Sequence, residues 1–149
     1  MTQVAYLYQR RGSRRYGFIS IGEKKIEKAV DFVFLQENIV NLAFGDLLPD
    51  GSIDDMANSN NGDIIKVFST IIDIVRDFTN RYPNVEIYFE GSTPERTRLY
   101  GRIIRTYYTT FIKDFEITGI SKINGELRLR SIDIKAETDY LGFYIKRIS

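Results

Sequence analysis

The sequence predicts an α+β fold: a mainly antiparallel, curved sheet packed against two helices in one domain. Three observations carry this expectation. Short apolar segments separated by turn residues crowd the first 44 positions, two stretches of helical period occupy the middle, and an Asn124-Gly125 pair splits two apolar segments near the C-terminus. Closely linked strands favour antiparallel ladders. Helices bunched among such strands argue against a doubly wound parallel sheet.

Residues 4–9 (VAYLYQ) read as a strand, Arg10-Arg11-Gly12-Ser13-Arg14-Arg15 as a turn, and residues 16–21 (YGFISI) as the returning strand. After a turn at Gly22-Glu23-Lys24, Ile26, Val30, Phe32 and Phe34 share one face of a longer strand, interrupted by Lys28. Val33 and Leu35 fall on its other face, which predicts a distal half covered on both sides. Residues 39–44 (IVNLAF) make a fourth strand, and residues 45–62 form a long irregular stretch of the kind that often carries function.

Ile64, Phe68, Ile71, Val75 and Phe78 mark the apolar stripe of a helix over residues 63–82, with Asn61 or Asp63 as its cap and Pro83 as its stop. Residues 85–90 (VEIYFE) form a fifth strand. A second helix spans 93–113, with Leu99, Ile103, Tyr107 and Phe111 on one row and Tyr100, Ile104, Tyr108 and Ile112 beside it, so a wide buried sector is expected. Asn124-Gly125 is a strong two-residue hairpin signal between 115–123 and 126–132, and residues 140–148 close the order β-β-β-β-α-β-α-β-β-β.

The 149 residues suit one domain, with 1–15 standing as an N-terminal extension. Composition is that of a globular chain, 43% hydrophobic and 28% charged, with ten Tyr and ten Phe. There is no Cys and no His. This excludes disulfides, thiol nucleophiles, Ser-His-Asp chemistry and Cys/His zinc sites, and it removes the usual proton carrier near neutral pH. Residues 1–28 carry seven Lys/Arg against two Glu, whereas residues 29–65 carry seven Asp/Glu and no Lys or Arg. No leader pattern and no membrane-length apolar run are visible, so a cytoplasmic protein without a membrane partner is expected.

Two polar segments, 46–63 and 91–100, concentrate the candidate chemistry. In the second, Gly91-Ser92-Thr93-Pro94-Glu95-Arg96-Thr97-Arg98 stands at a strand-to-helix junction. Free amides of a helix start, the Ser92 and Thr93 hydroxyls and the Arg96 and Arg98 guanidinium groups together suit a phosphate or carboxylate, with Asn60 and Asn61 as further ligand-binding candidates. Ser92 and Glu95 also fit a capping box, and Pro94 a first-turn position, which is helix grammar alone. In the first segment, Asp46, Asp54, Asp55 and Asp63 suit a Mg or Ca ion or pairing with Arg96 or Arg98, although the spacing is not that of an EF-hand and no cofactor is otherwise evident. The basic, aromatic N-terminal hairpin, with Arg10, Arg11, Arg14, Arg15 and Tyr16, suits single-stranded nucleic acid. Asp133-x-Lys135 is a lone nuclease-like tripeptide without an upstream partner.

The runs Asn41-Leu42-Ala43-Phe44-Gly45-Asp46, Asp54-Asp55, Ser59-Asn60-Asn61-Gly62-Asp63 and Gly91-Ser92-Thr93-Pro94 with Arg96-Thr97-Arg98-Leu99-Tyr100 resemble a bacterial domain family of unknown function. The resemblance runs from about Tyr16 to the C-terminus and implies no activity, substrate or cofactor. The residues themselves favour a non-enzymatic binding or interaction module with an anion pocket at the start of the second helix. The alternatives are single-stranded nucleic-acid binding by the N-terminal hairpin, or a metal-assisted enzyme using the 46–63 carboxylates.

Overall fold

The computed structural model describes residues 5–55 and 61–148. The chain is α+β, with mostly antiparallel strands that do not close into a barrel. It divides into two compact units. Among the described residues, one holds 5–34, 41–55 and 61–82, and the other holds 35–40 and 83–148.

The first of these units begins with β1 (Tyr8–Arg11), β2 (Arg15–Ile21) and β3 (Lys25–Gln36). Arg10 and Arg11 belong to the β1 ladder, opposite Tyr16 and Arg15, rather than to the turn expected there. The reversal is confined to residues 12–14 because Gly12 adopts a positive φ of 83° and closes it tightly. At the β2–β3 turn Gly22 is compulsory: a Cβ there would stand 1.8 Å from the carbonyl oxygen of Asn61.

Register places Tyr16, Phe18 and Ser20 opposite Val30, Lys28 and Ile26. Tyr16, Phe18, Val30 and Phe32 are buried on that face. The distal half of β3 is not covered on both sides, since Val33 is 46% and Leu35 60% exposed. An antiparallel sheet tolerates one open face, which a periodicity argument cannot distinguish from a covered one.

β4 (Ile39–Leu47) runs past the expected Phe44, and a two-residue strand, β5 (Ile53–Asp54), folds back on it with Asp46 opposite Asp54. The stretch read as irregular is therefore partly laddered. α1 (Ile64–Arg81) buries Val67, Phe68, Ile72, Ile74, Val75 and Phe78. Ile64 is exposed and Ile71 half-buried, so the buried sector is rotated from the expected stripe. The Ile71-Ile72-Asp73-Ile74-Val75 run supplies apolar residues on several rows, and packing chooses among them. Buried Ser69, Thr70 and Thr79 donate to the carbonyls of Ile65, Lys66 and Val75 one turn back, which satisfies their hydroxyls. Phe78 stacks on Phe32 at 3.9 Å between centroids and 6° between planes.

In the other unit the strand order is β6 (Glu86–Phe89), β9 (Gly142–Arg147), β7 (Phe115–Ile123), β8 (Glu126–Ser131). The C-terminal strand thus inserts between β6 and β7. The Asn124-Gly125 hairpin forms as expected, with φ of 52° and 79°. The expected single helix 93–113 is broken into α2 (Pro94–Thr106) and α3 (Tyr108–Phe111). The break falls in Thr106-Tyr107-Tyr108-Thr109-Thr110, a run of β-branched and aromatic residues with weak helix propensity. Its apolar sector is also narrower than expected: Ile103, Ile104 and Phe111 are buried, Leu99, Tyr100, Tyr107 and Tyr108 are half-buried, and Ile112 is exposed. Phe89, Phe115, Ile117, Phe143 and Ile145 complete this core.

Candidate functional site

A surface hollow of about 770 Å3 opens beside the start of α2. Ser92, Thr93, Thr97 and Arg98 line one side, Tyr140, Leu141 and Tyr144 another, and Tyr88, Glu90 and Asp139 also border it. The volume is that of small-molecule sites generally.

Its α2 side is built by local chemistry. The N-cap is Thr93, not Ser92: the Thr93 hydroxyl oxygen accepts from the Arg96 amide at 3.2 Å, and Pro94 opens the first turn. Ser92 and Glu95 do not form the expected capping box. Ser92 Oγ instead accepts from the Arg96 guanidinium at 2.6 Å. The Gly91 amide donates to Thr97 Oγ1 at 3.0 Å, and Thr97 Oγ1 donates to the Thr93 carbonyl at 3.2 Å. Gly91 is required here, because a Cβ would lie 2.5 Å from the Thr97 nitrogen. Ser92 and Thr93 thus serve the fold as acceptors, and a hydroxyl that accepts keeps its own proton as a donor.

The aromatic side depends on two small residues. A Cβ on Gly119 would meet the Tyr140 ring at 2.3 Å, and one on Gly142 would meet the Tyr88 hydroxyl at 2.7 Å. Tyr140 also accepts, through its hydroxyl, from the Asp133 amide at 2.9 Å. The Asp133 carboxylate accepts from the Lys135 and Ala136 amides, so the Asp133-x-Lys135 tripeptide is a turn. The segment after β8 is tied to α2 by Arg98–Asp139 at 3.2 Å and Arg102–Glu137 at 3.0 Å. Both are surface pairs, of the kind worth about 0–1 kcal/mol, so the Arg98 guanidinium is exchangeable.

Tyr88 donates to Glu90 at 3.0 Å. Burial first, and then the Glu90 carboxylate, push the Tyr88 hydroxyl up to about 12. Tyr16, in the other unit, is also pushed up to about 12, by burial and then by its bond to Asp77. In the unfolded chain both lose their protons near the ordinary value of 10.0. The folded chain therefore holds more protons between these values, and stability present below pH about 10 is expected to fall as pH rises towards about 12. Urea unfolding across that range checks this, with Tyr16→Phe and Tyr88→Phe each flattening the decline.

The remaining sequence candidates have other placements. Asn60 lies outside the described residues. Asn61 is buried and structural: its Oδ1 accepts from the Lys24 amide, and its Nδ2 donates to the Lys24 carbonyl and Ser20 Oγ. Asp63 stands at the α1 N-cap position but makes no side-chain cap bond, because its carboxylate accepts from the Tyr6 and Ser20 hydroxyls at 2.5 and 2.6 Å. Asp46 pairs with Lys28, a buried lysine that alternation alone marked only as an interruption. Asp54 lies opposite Asp46 in the β4–β5 ladder, and Asp55 follows it. Among the described residues no group of three or more carboxylates is arranged to hold a metal ion.

Tyr16 is fully buried, and its hydroxyl donates to Asp77 and accepts from Arg81, so its ring offers no open face for base stacking. Arg15 makes a two-pronged bond with Asp31 and reaches the Gly51 carbonyl. Arg14 lies over the Phe34 ring at 4.7 Å. Arg10 and Arg11 are exposed on β1, and Arg11 borders a second hollow of about 580 Å3 with Tyr6, Tyr8 and Lys66. Sequence reasoning missed Tyr88, Asp139, Tyr140 and Tyr144 as lining residues. Tyr88 stands on β6 only four residues before Ser92, whereas Asp139, Tyr140 and Tyr144 are distant in sequence and reach the hollow because β9 pairs with β6.

Fold and site define an α+β protein with a hollow of ligand size in its β6–β9 unit. The chain belongs to a family of unknown function (DUF6934), whose model matches residues 2–148. The match includes residues 2–15, which the sequence had set apart as an extension. No curated protein and no solved structure matches the chain. No described helix is long and apolar enough to cross a membrane.

Proposed function

We propose that this protein is a non-enzymatic binding module whose site is the hollow at the start of α2. Its ligand is a small molecule with an anionic phosphate or carboxylate head and an apolar or aromatic body. The observation that carries this reading is the meeting, in one hollow, of Arg98 and the Ser92 and Thr93 hydroxyl groups with Tyr140, Leu141 and Tyr144. Glu90 and Asp139 also border the hollow, so a bare anion gains little there, and the body of the ligand must contribute. Arg96 acts at one remove, by orienting the Ser92 hydroxyl.

Titration with inorganic phosphate and with benzoate, followed by amide NMR, tests the reading. Benzoate is expected to shift resonances of both Ser92–Arg98 and Tyr140–Tyr144, and phosphate only the former, more weakly. Arg98→Ala is expected to weaken benzoate binding about tenfold or more, since a hydrogen bond to a charged group contributes about 1.5–3 kcal/mol. Resonances of both segments unmoved by either compound would remove the proposal.

A further inference from the structure

We infer that the protein forms a symmetric dimer by antiparallel pairing of β8 with β8 of a second copy. Among the described residues β8 pairs only with β7, and all six of its residues are exposed. Leu127 and Leu129 are 68% and 67% exposed, on one face of a strand that offers its outer backbone edge.

The hairpin decides which backbone groups that edge presents. In a two-residue hairpin the closing pair, here Ile123 and Glu126, is hydrogen-bonded, and bonded pairs then alternate along the ladder. Glu126, Arg128 and Arg130 therefore turn their amides and carbonyls towards β7. Leu127, Leu129 and Ser131 turn theirs outward. Antiparallel self-pairing must set outward residues opposite one another, which leaves registers centred on single residues of the strand.

Charge selects among them. Centring on Arg128 places Leu127 opposite the second copy's Leu129 twice over, and Glu126 opposite its Arg130 twice over. Centring on Leu129 would instead oppose Arg128 and Arg130, which repel. Centring on Leu127 pairs Glu126 with Arg128 but matches fewer strand residues. The favoured register also opposes the two Arg128 side chains, but once, at the axis, where each is held by its own Glu126 at 2.7 Å, whereas centring on Leu129 opposes arginines twice. The contact is isologous: it consumes both β8 edges and closes at two copies.

Analytical ultracentrifugation of the full chain over a wide concentration range tests this. The expected result is a reversible shift from 17.3 kDa to twice that mass. Glu126→Arg alone and Arg130→Glu alone each set two like-charged pairs across the axis and are expected to weaken association about tenfold or more. The double variant exchanges the charges and is expected to restore it. Because these side chains are exposed, circular dichroism should be unchanged throughout. A mass of 17.3 kDa at every concentration, or a dimer indifferent to the single reversals, would overturn the inference.

Discussion

Replacing Phe78 by Ala is expected to lower folding stability by about 3–5 kcal/mol, the range for deleting a buried aromatic ring. Phe78 is fully buried on α1 and stacks on Phe32 at 3.9 Å, with Phe34 and Tyr82 also against it at 6.2 and 4.8 Å. It is the side chain through which α1 grips β3. Small neighbours can relax into a cavity, but these are rigid rings in a close stack, so little collapse is available. For a chain of this size the loss corresponds to a Tm lower by roughly 6–20 °C. Urea unfolding and calorimetry read it directly. A loss under about 1 kcal/mol would mean that α1 does not seat on β3 as described.

Replacing Lys28 by Ala is expected to cost a similar amount, about 3–5 kcal/mol, for a different reason. The Lys28 and Asp46 side chains are only 7% and 19% exposed, and they form an ion pair, with Nζ also 5.7 Å from the Phe44 ring centre. Removing the lysine takes its cation away from a largely buried carboxylate. The ion pair itself need not stabilise the fold, since a buried pair can be matched by apolar residues of similar volume. The double replacement Lys28→Met with Asp46→Leu is therefore expected to recover most of the loss. Equal destabilisation by the single and double changes would show that the lysine acts through packing rather than charge.

Much of the architecture was legible in the chain. Every strand and helix of appreciable length was signalled by its period, and Asn124-Gly125 marked its hairpin because both positions need positive φ. Two kinds of error share one origin. Periodicity says that a face is apolar, not that something covers it, so Val33 and Leu35 were read as buried and are not. Capping signals say that a polar side chain can serve a helix start. Ser92 and Asp63 were drawn away to Arg96 and to Tyr6 and Ser20, partners that helix grammar does not contain.

The candidate site divides along the same line. Ser92, Thr93 and Arg98 were visible because a strand, a glycine turn and a helix start are consecutive in the chain, and local backbone geometry follows from local residues. Asp139, Tyr140 and Tyr144 were invisible as companions because β9 joins β6 across more than fifty residues of intervening chain, while Tyr88, four residues before Ser92, was hidden because strand alternation does not say which ring faces a hollow. Such pairing has no local code. It rests on contacts between residues far apart in the chain, among them the room that Gly119 and Gly142 leave for the Tyr140 and Tyr88 rings. Local order was thus written residue by residue, while the hollow exists only because long-range packing brought two distant segments to one wall.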